Sequence, residues 1–203
     1  MLLIRDDFTR LNSDYFMGSK VEDTKYFMQY LAEYRFTGVP SPVEVVRTDD
    51  AAEFKGGAFA DLCRERRIRQ EFTTADSPQL NGVAERGIAL IESAGKAAAI
   101  QAGIMFPSMG VPSGDSLWAA QAYWACHALN STTTTSNPQC KTPYEMWYGK
   151  VPPSPFPFLK PGFVKRKRVD KLKPKAVPCY YIGPFPQPSS RFCACDVAFR
   201  RHN

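Results

Sequence analysis

Histidine is nearly absent from this chain of 203 residues, which holds only His127 and His202. Its six cysteines, Cys63, Cys126, Cys140, Cys179, Cys193 and Cys195, include no CxxC pair. A structural zinc site needs four well-spaced Cys or His ligands. Cys193, Cys195 and His202 come nearest and fall short, so free or partly buried thiols in a reducing compartment are expected. No run of 18 consecutive apolar residues occurs, so no transmembrane helix and no membrane partner is expected. The opening Met1-Leu2-Leu3-Ile4-Arg5-Asp6-Asp7 is too short and too acidic for a signal peptide. An intracellular protein is the resulting expectation.

Acids are scarce at the back of the chain. Residues 150–203 carry 12 basic and 2 acidic side chains, a net +10, whereas residues 1–149 carry a net −4. The basic residues cluster as Lys165-Arg166-Lys167-Arg168, followed by Lys171, Lys173 and Lys175. Such a cluster suits nucleic-acid phosphates, whose neutralisation releases counterions. A nuclear localisation patch or a plain solvated face fits the same residues. Hydrophobic content of 44% and charged content of 23% are ordinary for a globular protein, and 203 residues suffice for one sizeable core plus an appendage. The expected division is a core domain over 1–149 and a basic, proline-rich segment over 150–203.

Periodicity gives an α/β order. Residues 2–5 and 13–19 read as an antiparallel strand pair. Residues 22–34 show helical spacing of Phe27, Tyr30, Leu31 and Tyr34, ended by Pro40 and Pro42. A β-branched run, Val43, Val45 and Val46, leads into Asp49. Residues 54–67 read as a helix with Phe59, Leu62 and Cys63 on one face, and 68–74 as a strand. Residues 75–82 read as a turn, 83–102 as a long helix, 103–115 as a loop, 117–129 as a second long helix, and 142–147 as a short helix with Pro143 in its first turn. Gly87 and Gly95 fall inside the first long helix, at a cost of about 1 kcal/mol each relative to Ala. Trp118, Trp124, Trp147 and Tyr148 are expected in the core. No internal repeat is present.

Two acids stand in settings that suggest chemistry. Asp49 follows the apolar run, within Arg47-Thr48-Asp49-Asp50-Ala51-Ala52-Glu53-Phe54. Glu85 lies in Ser77-Pro78-Gln79-Leu80-Asn81-Gly82-Val83-Ala84-Glu85-Arg86, with 35 residues between the two acids. Converging carboxylates repel unless a cation neutralises them, and Mg²⁺ combines one or two carboxylates with waters and phosphate oxygens. A helix starting near Asn81 would put Glu85 in its first turn, where the dipole stabilises the ionised form by roughly 0.3–1 kcal/mol. Either acid alone would more often be a cap or a solvated dipole partner.

These segments resemble the integrase of copia-type retrotransposons, within the RNase H-like polynucleotidyl transferase group. Asp6-Asp7-Phe8-Thr9-Arg10 resembles "DDYSR", Arg47–Phe54 resembles "RSDNGGEF", and Ser77–Arg86 resembles "TPQQNGVAER", the most specific piece. Further along, Ser116–Ala120 resembles "SFWAEA", Lys141–Trp147 resembles "KTPYELW", Lys171–Ala176 resembles "KLDPKAKK" and Asp196–Phe199 resembles "SRDVVF". The resemblance implies an RNase H-like mixed sheet flanked by helices, Asp49 and Glu85 as catalytic metal ligands for Mg²⁺ or Mn²⁺, DNA as substrate, self-association, and action in the nucleus.

The departures are equally specific. In the family a first catalytic acid precedes the "DDYSR" segment, and this sequence begins five residues before Asp6. The expectation is therefore a sheet lacking its first, central strand, with its neighbours left with unpaired edges or forced to pair differently. The family's zinc-binding N-terminal module is absent from the sequence too. Asp6 and Asp7 belong by register to the second strand and are expected to shape a turn. Asp50-Ala51-Ala52 replaces Asn-Gly-Gly, Glu92 stands where phosphate contacts are common, and 104–115 reads as an insertion. The functional expectation is an integrase core fragment, inactive alone; the alternative is a non-catalytic, retroelement-derived nucleic-acid-binding or interaction protein.

Overall fold

Six short strands and six helices make up the regular structure of the computed structural model, which describes residues 1–36, 43–73, 78–107, 117–165 and 176–184. Strand β1 (Leu2–Arg5) pairs antiparallel with β2 (Asn12–Tyr15), Leu2 opposite Tyr15 and Arg5 opposite Asn12. Asp6 makes the turn between them. Its carboxylate accepts hydrogen bonds from the Thr9 backbone N–H and hydroxyl, both at 2.7 Å. Asp7 pairs with Arg10, whose backbone adopts φ 65°. The expected turn role of both acids thus has a physical basis: short carboxylates bonding local backbone groups.

Helix α1 (Asp23–Phe36) covers the expected segment and buries Phe27 and Tyr30. Strand β3 (Val45–Thr48) pairs in parallel with β4 (Arg69–Phe72). The connection holds α2 (Ala52–Lys55) and α3 (Gly57–Glu65) where one helix over 54–67 was expected. Gly56 is extended and Gly57 has φ 63°, a left-handed conformation that glycine adopts without steric cost and that breaks the helix in two. Phe59, Leu62 and Cys63 are buried as anticipated, and burial pushes the Cys63 thiol pKa up.

Helix α4 (Pro78–Met105) starts five residues before the expected 83, and α5 (Trp118–Asn130) follows. Proline at a first helical position carries no N–H that the helix would leave unpaired, so Pro78 opens α4 rather than ending a turn. By length and composition alone, Gly82–Met105 is apolar enough to cross a membrane, unlike the expectation from uninterrupted runs. Its alanine-rich sequence reaches that mean hydropathy despite Glu92 and Lys96. Gly87, Ile91, Ala98 and Ala102 are buried, whereas Ile88, Leu90, Ile100, Ile104 and Met105 are exposed.

Helix α6 (Pro143–Tyr148) has a complete capping box: the Thr142 hydroxyl accepts from Glu145 N–H at 3.0 Å and the Glu145 carboxylate accepts from Thr142 N–H at 2.8 Å. These bonds hold the Glu145 carboxyl below the usual range. Strand β5 (Pro161–Lys165) pairs antiparallel with β6 (Ala176–Tyr180), a pairing the sequence did not announce.

Among the described residues the strands form three two-stranded sheets, β1–β2, β3–β4 and β5–β6, where a mixed sheet lacking its central strand was expected. Strand β1 does not pair with β3 among the described residues, so no ladder joins the first two sheets. The chain forms two compact units, residues 1–90 with 130–152, and 91–129 with 153–203. The first has a core of Tyr15, Phe27, Tyr30, Phe59, Leu62, Cys63 and Ile68. The second packs Ala98, Ala102, Leu117, Ala120, Phe158, Leu159 and Ile182. Trp147 is buried as expected, whereas Trp118 and Tyr148 are exposed. Trp124 lies between these extremes and donates its indole N–H to the Phe156 carbonyl at 2.8 Å.

Within the second unit, α4 and α5 approach closely at Gly95. A Cβ there would lie 3.0 Å from the Gln121 backbone. Gly103, by contrast, has open space where a Cβ would go. Gly95→Ala is expected to lose about 1 kcal/mol, because displacing backbone costs roughly 1–3 kcal/mol against the helix gain of about 1. Gly103→Ala is expected to gain roughly 0.5 kcal/mol in the last turns of α4. Urea unfolding of the two variants checks the opposite signs.

Candidate functional site

The C-terminal end of β3 delivers Asp49 to a cleft of about 570 Å³ in the first unit. Every residue of β1 and of β3 lines this cleft, and none of β2 or β4 does. Phe27 and Tyr30 from α1, Phe54 from α2, Phe59 from α3, and Val83, Ala84 and Ile88 from α4 complete its walls. The Asp49 side chain is exposed, and its Oδ1 accepts a long bond from Ala51 N–H at 3.4 Å. Asp50 is engaged elsewhere, 2.7 Å from Lys55 Nζ.

Glu85 is exposed on α4, one residue after Ala84, and does not itself line the cleft. Because α4 begins at Pro78, Glu85 lies beyond two turns from the N-terminus rather than in the first turn. The dipole effect fades within a turn, so the expected help to its ionisation is withdrawn.

Asp6 and Asp7 line the cleft, but their carboxylates make the β-turn bonds described above. Among the described residues, no group of three or more His, Cys, Asp or Glu side chains is placed to hold a metal ion. Asp49 lies on the cleft and Glu85 beside it, with no third such side chain grouped with them among the described residues.

Of the proposed DNA-contacting residues, Lys165 ends β5 and is exposed. Arg166, Lys167, Arg168, Lys171, Lys173 and Lys175 lie outside the described residues, in the sequence between β5 and β6. Cys193, Cys195 and His202 lie outside them as well, as do Pro40, Pro42, residues 75–77, most of the 104–115 insertion and the Asp196–Phe199 match. Cys63 and Cys126 are buried cysteines outside any disulfide, and Cys140 is exposed.

Sequence reasoning missed three apolar side chains at the cleft. Phe8 is 74% exposed, Val45 39% and Ile88 38%. It also missed Thr48, whose hydroxyl is shielded from solvent yet bonds no described group.

No known family profile matches the sequence. A curated relative, the retrovirus-related Pol polyprotein from transposon TNT 1-94 of Nicotiana tabacum, is 26% identical over 185 residues. That match takes in 88% of this chain and 13% of the relative, so the chain spans about an eighth of the polyprotein's length. Among solved structures, a chain of the simian T-cell lymphotropic virus intasome in complex with PP2A regulatory subunit B56 gamma matches with a TM-score of 0.51 at 18% identity, over 87% of this chain and 60% of that one. The HTLV-2 integrase catalytic core domain, solved with magnesium in a trimeric form, gives a TM-score of 0.46 at 19% identity, over 70% and 80% of the two chains. The chain thus has a mixed α/β fold of small sheets and flanking helices, similar to that of the intasome chain, and a weak sequence similarity to a retrotransposon polyprotein.

Proposed function

We propose that this chain is a piece of a copia-type retroelement integrase, with DNA as its partner and DNA integration as the parent reaction. The observation that carries the reading is the placement of the two motif acids. Asp49 opens onto the cleft at the end of β3, and Glu85 rides on the helix whose Val83, Ala84 and Ile88 line that cleft. The similarity over 185 residues and the fold likeness support the same lineage.

In this reading Asp49 and Glu85 are two of three metal ligands of the parent enzyme, which uses Mg²⁺ or Mn²⁺. Such ions activate an attacking oxygen and stabilise a leaving one. In this reading the 203-residue chain by itself is inactive. Residues 1–149 form the core-like part and 150–203 the basic part, which grips phosphates and serves in the nucleus. Self-association accompanies DNA binding in this reading, as the resemblance to the integrase family implies.

The DNA-binding half of this reading has a direct test. Replacing Lys165, Arg166, Lys167 and Arg168 with Ala is expected to reduce the slope of log K against log salt by about 3 to 4, at ~0.9 per phosphate contact. Fluorescence titration of duplex DNA across a salt series measures it. Binding unchanged by those substitutions would remove the assigned role of the basic cluster. Asp49→Asn and Glu85→Gln are expected to leave DNA binding intact.

A further inference from the structure

One face of the β5–β6 hairpin in the second unit lies open. Successive side chains of a strand alternate between faces, and residues directly opposite in an antiparallel pair share a face. Pro161, Phe163 and Lys165 therefore stand on one face, opposite Tyr180, Pro178 and Ala176 in turn. At one end of that face Tyr180 packs against the core of the second unit. The other five residues are exposed, and Phe163 is 76% exposed. With Pro178 directly opposite and Pro161 and Lys165 on either side along the strand, its ring stays open to solvent.

A single exposed apolar side chain is ordinary on a protein surface; the charge around this one is not. From 153 to 184 the sequence holds eight basic side chains and one acid, Asp170. A polyanion is the complement of that balance. Lys165 follows Phe163 by two residues on the same face, about 6.6 Å along the strand. The other exposed aromatic nearby, Phe156, is already engaged: Lys160 Nζ stands 4.5 Å from its ring centroid, and Tyr181 meets it edge-on at 5.4 Å between centroids. No ring or cation among the described residues stands over Phe163. A planar ring beside a cation suits a planar base joined to a phosphate. An anionic membrane shares the charge, but its grip grows with buried apolar area, and this face exposes one large apolar side chain.

We propose that the open β5–β6 face binds single-stranded DNA, with Phe163 stacking on one unpaired base and Lys165 holding an adjoining phosphate. Stacking needs a base whose face is free, so the site prefers unpaired nucleotides to duplex. It tolerates any sequence, because every base has a π-face. This role rests on DNA as the partner, as proposed above, and adds a preference to it. Cations alone grip any phosphate chain, whereas Phe163 selects for bases outside a duplex.

The test uses the full 203-residue chain and three fluorescein-labelled probes: an oligothymidylate of about 12 nucleotides, a duplex of that length, and an abasic oligomer of that length. Phe163→Ala is expected to weaken oligothymidylate binding about tenfold, within the range for one stacked base. Binding of the duplex and of the abasic oligomer is expected to stay within about twofold, since phosphate contacts carry it. Phe163→Trp is expected to keep the parental affinity for oligothymidylate, and Phe163→Leu to lose nearly as much as alanine does. Lys165→Ala is expected to lower the salt slope for oligothymidylate by about 0.7. Circular dichroism verifies each fold, and the Trp and Leu pair decides the matter even where Phe163→Ala fails to fold. Oligothymidylate binding that no Phe163 substitution alters, or an equal loss on the duplex or the abasic oligomer, would overturn this role and leave the DNA reading in place. No binding of any probe by the parent chain would overturn both. Phe163-dependent binding of phosphatidylserine vesicles, without such dependence for oligothymidylate, would assign the face to a membrane instead.

Discussion

Asn130→Ala is expected to lower the stability of the protein by about 3 kcal/mol, because two buried backbone groups lose their hydrogen bonds at roughly 1–3 kcal/mol each. Asn130 closes α5 and is buried. Its Oδ1 accepts from Asn12 N–H at 2.9 Å and from Asn12 Nδ2 at 3.1 Å, and its Nδ2 donates to the Asn12 carbonyl at 2.8 Å. Alanine removes all three bonds at once, in a place that Asn12 cannot turn to solvent. The consequence reaches the candidate site, since Asn12 begins β2 and pairs with Arg5 of β1. Among the described residues β1 has a ladder on one side only, so these amide bonds help fix the β1–β2 hairpin. Asn137 adds to them through Nδ2, which donates to the Thr9 carbonyl at 3.0 Å and to the Lys141 carbonyl at 3.2 Å. Urea unfolding at neutral pH measures the loss. A change under about 1 kcal/mol would show that water replaces the amide at little cost.

Mild acid has the second large effect. Burial pulls the His127 pKa from 6.5 down to about 4. The ring lies edge-on to Tyr123, 4.6 Å between centroids. A depressed pKa means that the folded state binds the proton less readily than the unfolded chain. Between pH 6.5 and 4 the unfolded state therefore holds more protons, and stability falls as pH falls. At 1.36 kcal/mol per unit, the full loss is about 3 kcal/mol once pH drops below both values. Above pH 6.5 both states are neutral there and the term vanishes. Unfolding free energies at pH 7.0 and 4.5 are expected to differ accordingly, and His127→Phe, which keeps the ring contact with Tyr123, flattens that dependence. Glu145, held low by its capping bonds, contributes a further loss only at lower pH, as it falls through the folded-state value. An equally steep dependence in His127→Phe would reassign the acid effect to other groups.

Local signals made the front of the fold legible. Helix α1, the buried face of α3, the β1–β2 hairpin and the Thr142–Glu145 cap all follow from spacing, turn residues or capping chemistry over a few positions. The misreadings have local causes as well. Gly56 and Gly57 break a helix because Gly57 takes a left-handed conformation. Pro78 starts α4 where a turn was expected, and this moves Glu85 away from the helix end. Gly95, which propensity scores as a cost, is where α5 comes close.

Long-range features were not legible. The Asn12–Asn130 bonds join residues 118 positions apart, and no amide signals such a partner in sequence. The separation of β1 from β3 is likewise a fact about pairing, which single strands do not encode. Asp49 was legible as a strand-end acid because an apolar run leads into it. That it opens onto a cleft with Thr48 and three exposed apolar side chains around it was visible only in three dimensions.

In the proposed reading the two motif acids are those of an integrase, with no third metal-ligating side chain grouped with them among the described residues. A strand-transfer assay tests it most directly, using the full 203-residue chain, element-end DNA and a target duplex in Mg²⁺ or Mn²⁺. The account predicts no strand transfer by the unmodified chain and none by Asp49→Asn or Glu85→Gln. Metal-dependent strand transfer by the unmodified chain that either substitution abolishes would contradict it and show that another acid completes the site.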